Sequence, residues 1–167
     1  MAKAAAYTCG VLLGYDPKER RYYVGHVVRE RVSNPEALIV ATAAMDGKNV
    51  AISIPQDPGA AGKIQSRAIV AALSGMRASA TPESGDKVGR AEPVAAQAEV
   101  GNVSILPGEW NEAFLDEIEK FPSGAFKDQV DALSRAFGHF VMFRPGAIIA
   151  PMVFTAPVDV IGTHPGW

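Results

Sequence analysis

Cysteine is almost absent from this chain. Cys9 is the single one in 167 residues, so no disulfide can form within the chain and no thiolate cluster for zinc is available. Cys9 sits in the apolar run Tyr7–Tyr15 and is expected to behave as a small buried hydrophobe; a reducing, intracellular setting fits. Histidine is scarce too. His26, His139 and His164 stand at no recognisable spacing from a nucleophile, and Ser66, Ser74 and Ser134 fall on expected helices without the Gly-x-Ser-x-Gly elbow of a hydrolase. No apolar run reaches the roughly 18 residues of a membrane span, and Met1–Ala6 lacks the long apolar segment of a signal peptide. Strong net charge is also missing. The balance of −2 does not announce a nucleic-acid binder.

What is present reads as one globular α/β domain. Hydrophobic residues make up 48% and charged residues 20%, which places the chain outside the disordered class. Tyr7–Tyr15 and Arg21–Val32 are β-rich runs around the Asp-Pro break at Asp16–Arg20, the pattern of an antiparallel hairpin. Ser33-Asn34-Pro35-Glu36 opens a helix that places Leu38, Ala41 and Met45 on one face. Asn49–Pro55 is continuously apolar and predicts a central strand covered on both sides. A helix over Ala61–Gly75 is expected to bury Ile64, Ala68, Ala71 and Ala72. Met76–Thr81 is a short strand. Asp86–Val100 is a helix with Pro93 in its first turn or at a kink. Val103–Leu106 is a strand. Trp110–Lys120 is an amphipathic helix with Phe114, Leu115 and Ile118 inward, and Phe126–Phe137 is the last helix. Phe140–Trp167 holds four prolines and no helical periodicity, so 1–139 reads as the domain and 140–167 as an apolar tail.

The residues that carry chemistry cluster in few places. Asp57 follows the apolar strand directly, and open α/β sheets keep their sites at that edge. A carboxylate there can bind a hard cation or act as a base; equally, it can serve the Asp-Pro-Gly bend that follows. Gly59-Ala60-Ala61-Gly62-Lys63 invites a phosphate-loop reading but fails on spacing. Two residues separate the glycines where four are needed, and Ile64 stands where a Ser or Thr is required. The small residues instead suit close approach of helix to strand. Asp128 and Asp131 stand at i and i+3 on one helix face. Each alone suits the helix dipole; together with Asp57 they could hold a pair of divalent cations for in-line phosphodiester hydrolysis.

Charge is unevenly spread. Residues 63–90 carry Lys63, Arg67, Arg77, Lys87 and Arg90 against Glu83 and Asp86, whereas residues 109–131 carry seven acids against Lys120 and Lys127. A basic surface beside an acidic pocket suits a protein that holds a phosphate backbone near metal-binding carboxylates; ordinary solvated faces give the same pattern.

Four segments together carry a family resemblance. IPQDPGAAGK at 54–63, SGDKVGRAEPVAAQAEVGNV at 84–103, GEWNEAFLDEIEKFPSG at 108–124 and KDQVDALSRAF at 127–137 resemble, in that order, the carboxyl-terminal nuclease domain of tailed-phage terminase large subunits, the DNA-packaging motor proteins. The resemblance implies a ribonuclease-H-like mixed sheet flanked by helices and Mg²⁺- or Mn²⁺-dependent cutting of double-stranded concatemeric DNA. It implies catalytic and metal-binding roles for Asp57, Asp128 and Asp131, and DNA contacts from Lys87 and Arg90, with Lys63 and Arg67 on the same basic stretch. It further implies the portal and the small terminase subunit as partners and the bacterial host cytoplasm as location, with a phage or prophage origin. Two features depart from the family. Lys127 stands where the family often has an acid, and the family's first catalytic aspartate lies on a strand ahead of the Tyr7 segment, where this sequence has MAKAAA. The expectation is therefore a truncated piece, without that strand and without the packaging ATPase: an incomplete nuclease that only binds DNA or motor partners is the alternative to an active one. The gap left by the strand is expected to be covered by the tail, around Ala147–Phe154, or by a second chain.

Overall fold

The computed structural model describes residues 7–142. The chain opens with the expected hairpin, β1 (Thr8–Asp16) and β2 (Arg21–Glu30), paired antiparallel from Thr8↔Glu30 to Asp16↔Arg21. The register slips between Leu12 and Leu13, where one extra residue of β2 forms a bulge. Helix α1 (Pro35–Asp46) begins as its sequence dictates: the Asn34 side chain accepts from the Ala37 N–H at 3.1 Å, and Pro35 occupies the first turn, where no donor is needed. Strand β3 (Ala51–Gln56), helix α2 (Ala60–Ala72) and strand β4 (Arg77–Pro82) follow as a parallel βαβ unit. Helix α3 (Lys87–Glu99) is capped by Asp86, whose carboxylate accepts from the Gly89 N–H at 2.9 Å. Strand β5 (Val103–Ile105), helix α4 (Asn111–Lys120) and helix α5 (Asp128–Met142) complete the described chain.

The strands form two sheets. One has the order β1-β2-β5, with β5 parallel to β2, and the other holds β3 and β4 alone. Each sheet has its own core. Leu13, Val24, Val27, Val94, Phe114, Leu133 and Phe137 pack together under the first; Ala43, Ile54, Ile69 and Leu73 pack under the second. Strand β3, expected to be central, has one partner only among the described residues.

Several expected helix faces are rotated. In α1 the buried face runs through Ile39, Val40 and Ala43, while Ala41 and Met45 are exposed. In α2 the buried residues are Gly62, Ser66 and Ile69, and Ile64 is 69% exposed. Small residues decide this: the helix lies on β3 through Gly62, the residue that can come closest. In α4 the inward residues are Phe114 and Glu117, with Leu115 and Ile118 outward. Pro93 lies within α3, beyond its first turn. Helix α5 runs on through His139 and Phe140 to Met142, so the helix crosses the expected boundary at 139; the rest of the tail, including Ala147–Phe154 and His164, lies outside the described residues.

Candidate functional site

A groove of about 770 Å³ separates the two sheets. Asp57, Asp128 and Asp131 all line it. Their convergence follows from the orientation of the elements. Helix α5 runs alongside β1 in the same direction, since Asp128 acts electrostatically on Cys9 near the strand's start and the Phe140 ring meets Tyr15 near its end. Strands β3 and β4 run the opposite way: Arg135, at the middle of α5, donates to the Ile54 carbonyl at 2.7 Å and to the Thr81 carbonyl at 2.9 Å, and Glu83, just past β4, meets Arg90, which holds Asp131 on the first turn. The end of β3 and the start of α5 therefore share one end of the groove.

Asp57 is exposed and its backbone is fixed by α2. A Cβ on Gly62 would fall within 2.8 Å of the Asp57 Cβ and closer still to its carbonyl, so only glycine lets the helix start this near the strand. Asp128 and Asp131 stand on the first turn of α5. That turn is held by a buried acid from another helix. The Glu117 carboxylate accepts from the backbone N–H of Gln129 at 2.7 Å and of Val130 at 3.1 Å, and from the Gln129 side-chain amide at 2.7 Å. A carboxylate on the first N–H groups of a helix satisfies donors that have no partner inside it and meets the positive end of the dipole.

The two α5 aspartates differ in their surroundings. Asp131 is held by Lys87 at 2.9 Å and by Arg90 at 2.7 Å, while Asp128 has Lys87 at 3.7 Å. Glu83, just past β4, joins Arg90 at 3.4 Å and Arg135 at 3.6 Å. Three cations and three acids thus alternate across α3, the β4 exit and α5. Burial opposes the charge on Lys87, but the bond to Asp131 and the neighbouring acids outweigh it and its pKa is raised; the bond to Asp131 likewise raises that of Arg90. Lys63 and Arg67 are exposed on α2 at i and i+4 and take no part in this network. The basic residues expected to touch DNA therefore divide into a paired set, Lys87 and Arg90, and a solvent-facing set, Lys63 and Arg67.

Among the described residues no three His, Cys, Asp or Glu side chains converge as a metal-holding group. Mg²⁺ is commonly held by one or two carboxylates, with water and phosphate oxygens completing the shell. Asp57 and Asp128 line the same groove and are carboxylates of the kind that lesser requirement calls for; a pair of ions clamped by protein carboxylates finds no converging group among the described residues. Cys9 plays no part in such chemistry. Burial first, then the charges of Asp128 and Glu117, push its thiol up to about 12, so it stays protonated.

Sequence reasoning missed Arg135, Glu83 and Glu117. Arg135 ties α5 to both strands of the small sheet, donating also to the Thr81 hydroxyl at 2.7 Å. Its signal was available: a guanidinium on the inward side of a helix, between Ala132 and Ala136, demands carbonyl or acid partners. Glu117 broke an otherwise apolar stripe in the same way. His139 was placed after the last helix and lies within it, where burial and then Arg135 lower its pKa.

No helix among the described residues is long and apolar enough to cross a membrane. No curated protein and no solved structure matches the chain. The family model described as the terminase RNaseH-like domain matches residues 2–140, most of the chain's 167 residues, and the chain belongs to that family.

Proposed function

We propose that this domain is the metal-dependent endonuclease part of a phage terminase large subunit, cutting double-stranded concatemeric DNA as genomes are packaged. The carrying observation is that Asp57, Asp128 and Asp131, from two distant points of the sequence, line one end of one groove in a chain of the terminase RNaseH-like family. Asp57 and Asp128 are the residues that would hold Mg²⁺ or Mn²⁺. The chemistry such an ion supplies is a hydroxide near neutral pH and charge stabilisation of the leaving oxygen. The chain's own contribution is placement. Gly62 fixes the Asp57 backbone, Glu117 fixes the first turn of α5, and Lys63 and Arg67 present solvent-facing cations to a phosphate backbone. Lys87 and Arg90 neutralise Asp131 and stand ready to exchange that acid for phosphate. Its partners in this reading are double-stranded DNA, the portal and the small terminase subunit, in a bacterial host cell infected by the phage or carrying it as a prophage.

A specific observation favours a second reading, a catalytically incomplete module that binds DNA or motor partners: Asp131 is engaged by two cations and no acidic trio forms among the described residues. Plasmid nicking in Mn²⁺ separates the two. Nicking that Asp57→Ala and Asp128→Ala each abolish supports the endonuclease. Retained DNA binding without nicking at high protein concentration supports the binding module.

A further inference from the structure

Two arginines near one end of the groove have rings for neighbours and no acid. Arg29 lies near the end of β2 and Arg31 one residue past it. Both guanidinium groups stack on the Tyr7 ring, their carbons 3.9 and 4.2 Å from its centroid. Arg29 also lies over Phe126 at 4.8 Å, and the two rings meet edge to face. Stacking engages the faces of a guanidinium and leaves its N–H donors, which lie in its plane, to other acceptors. Among the described residues none is supplied: neither side chain makes a hydrogen bond or an ion pair, and the Arg29 Nε is buried without an acceptor. With both carbons about 4 Å from one centroid, the two like charges are at most about 8 Å apart and repel. Elsewhere around the groove the cations are matched. Lys87, Arg90 and Arg135 each have an acid.

The pair sits beside the acids already described. Arg29 is the register partner of Cys9 on β1, and opposite residues of an antiparallel pair point to the same face. Phe126, which Arg29 covers, stands two residues before Asp128, and Tyr7 lines the same groove as Asp57 and Asp128. The arginines therefore flank the Asp128 side of the groove's end. Lys63 and Arg67 flank the Asp57 side, since α2 departs from there. Lys127, between Phe126 and Asp128, is a third cation without an ion pair among the described residues. We propose that Arg29, Arg31 and Lys127 hold the phosphate backbone of duplex DNA on the Asp128 side, so that the backbone passes the acids between two basic arms. This inference rests on the endonuclease reading for its substrate. A free guanidinium fork matches phosphate oxygens bidentately. Tyr7 and Phe126 hold the Arg29 fork in one plane, so less freedom is lost when phosphate binds. Contacts of this kind position the duplex and read no sequence. Lys127, where the family often has an acid, serves the backbone in this arrangement.

Filter binding of a short blunt duplex to the full chain, in EDTA and at several salt concentrations, tests this beside thermal unfolding. Arg31 is exposed. Arg31→Ala and Lys127→Ala are each expected to lower the slope of log affinity against log salt by up to about 0.9, and the double variant by up to about 1.8, with the melting temperature within a degree or two. Arg31→Lys is expected to keep the slope, because the charge remains. Arg29 belongs to the ring stack and is read without mutation: its Nε–H signal in a nitrogen–proton spectrum is expected to shift when duplex is added. An unchanged slope in the double variant overturns the proposal, and so does a wild-type chain that binds no duplex. Arg29 signals that move with inorganic phosphate but not with duplex leave an anion site only and overturn it too. Polyglutamate binding that Arg31→Ala abolishes, beside an unchanged duplex slope, assigns the patch to an acidic polypeptide instead. The endonuclease reading fails separately: a slope that falls as expected in a chain that nicks no plasmid in Mn²⁺ removes the nuclease and leaves these contacts standing.

Discussion

Glu117 shows how one side chain can decide where a site stands. It is buried, it belongs to α4, and its three hydrogen bonds go to the start of α5. Glu117→Ala leaves two backbone donors and an amide without partners and is expected to cost about 2–4 kcal/mol in urea unfolding. Glu117→Gln keeps the shape and one acceptor, and is expected to cost less than the alanine. Cys9 yields a second expectation. A thiol held near 12 reacts with iodoacetamide at pH 8 roughly a thousandfold slower in the folded chain than in urea, since thiolate is the nucleophile. His139 yields a third. Its folded pKa lies below the ordinary 6.5 because of burial, then Arg135. The unfolded chain therefore binds the proton first as pH falls, and the contribution of His139 to stability is complete above pH 6.5 and declines below it. Urea midpoints between pH 7.5 and 5 are expected to fall in the wild type and to fall less in His139→Gln. Of these residues, Cys9 came nearest to its expectation, being half-buried where full burial was expected, because its neighbours in sequence supply much of its surroundings. Glu117 and Arg135 stand out locally as charged residues on inward helix faces, but their partners lie 12 and 81 residues away, and no local pattern reports which groups those are.

At the scale of elements the sequence was most legible where the signal is local. The β1–β2 hairpin, the start of α1 at Asn34 and Pro35 and the bounds of α3 all appear within a residue or two of expectation, because turn and cap chemistry acts over a few residues. Helix faces were less legible. Periodicity in α2 pointed to Ile64, yet the helix buries Gly62, Ser66 and Ile69: the requirement to lie close on the Asp57 backbone outweighs the burial of one isoleucine. This makes Gly62 a test of the α2–β3 contact. Gly62→Ala forces a methyl group into the Asp57 carbonyl and Cβ, and backbone can yield only by moving the helix. It is expected to destabilise by about 1–3 kcal/mol. Amide shifts in a nitrogen–proton correlation spectrum are expected to concentrate at Gln56–Lys63, leaving β1 and β2 unchanged. Shifts spread evenly over the chain would contradict so local a contact.

At the scale of the molecule, charge separates what holds the fold from what is free to meet a ligand. The near-neutral total of −2 conceals this. Lys87, Arg90 and Arg135 are spent on Asp128, Asp131 and Glu83, while Lys63 and Arg67 face solvent from α2, whose amino end adjoins Asp57. If DNA lies across this face, the two sets must respond differently to salt and to mutation. Each phosphate neutralised by an exposed cation contributes about 0.9 to the slope of log affinity against log salt for duplex DNA. Lys63→Ala and Arg67→Ala are therefore each expected to lower that slope by up to about that amount and to leave the melting temperature within a degree or two, since neither residue supports the fold. Arg90→Ala is expected to do the opposite. It removes the partner that Asp131 holds at 2.7 Å with both side chains largely shielded, so stability falls, and the slope changes only if DNA draws Arg90 away from that acid. Filter binding at several salt concentrations, beside thermal unfolding of the same variants, distinguishes an arginine committed to the fold from one that changes partners when the backbone arrives.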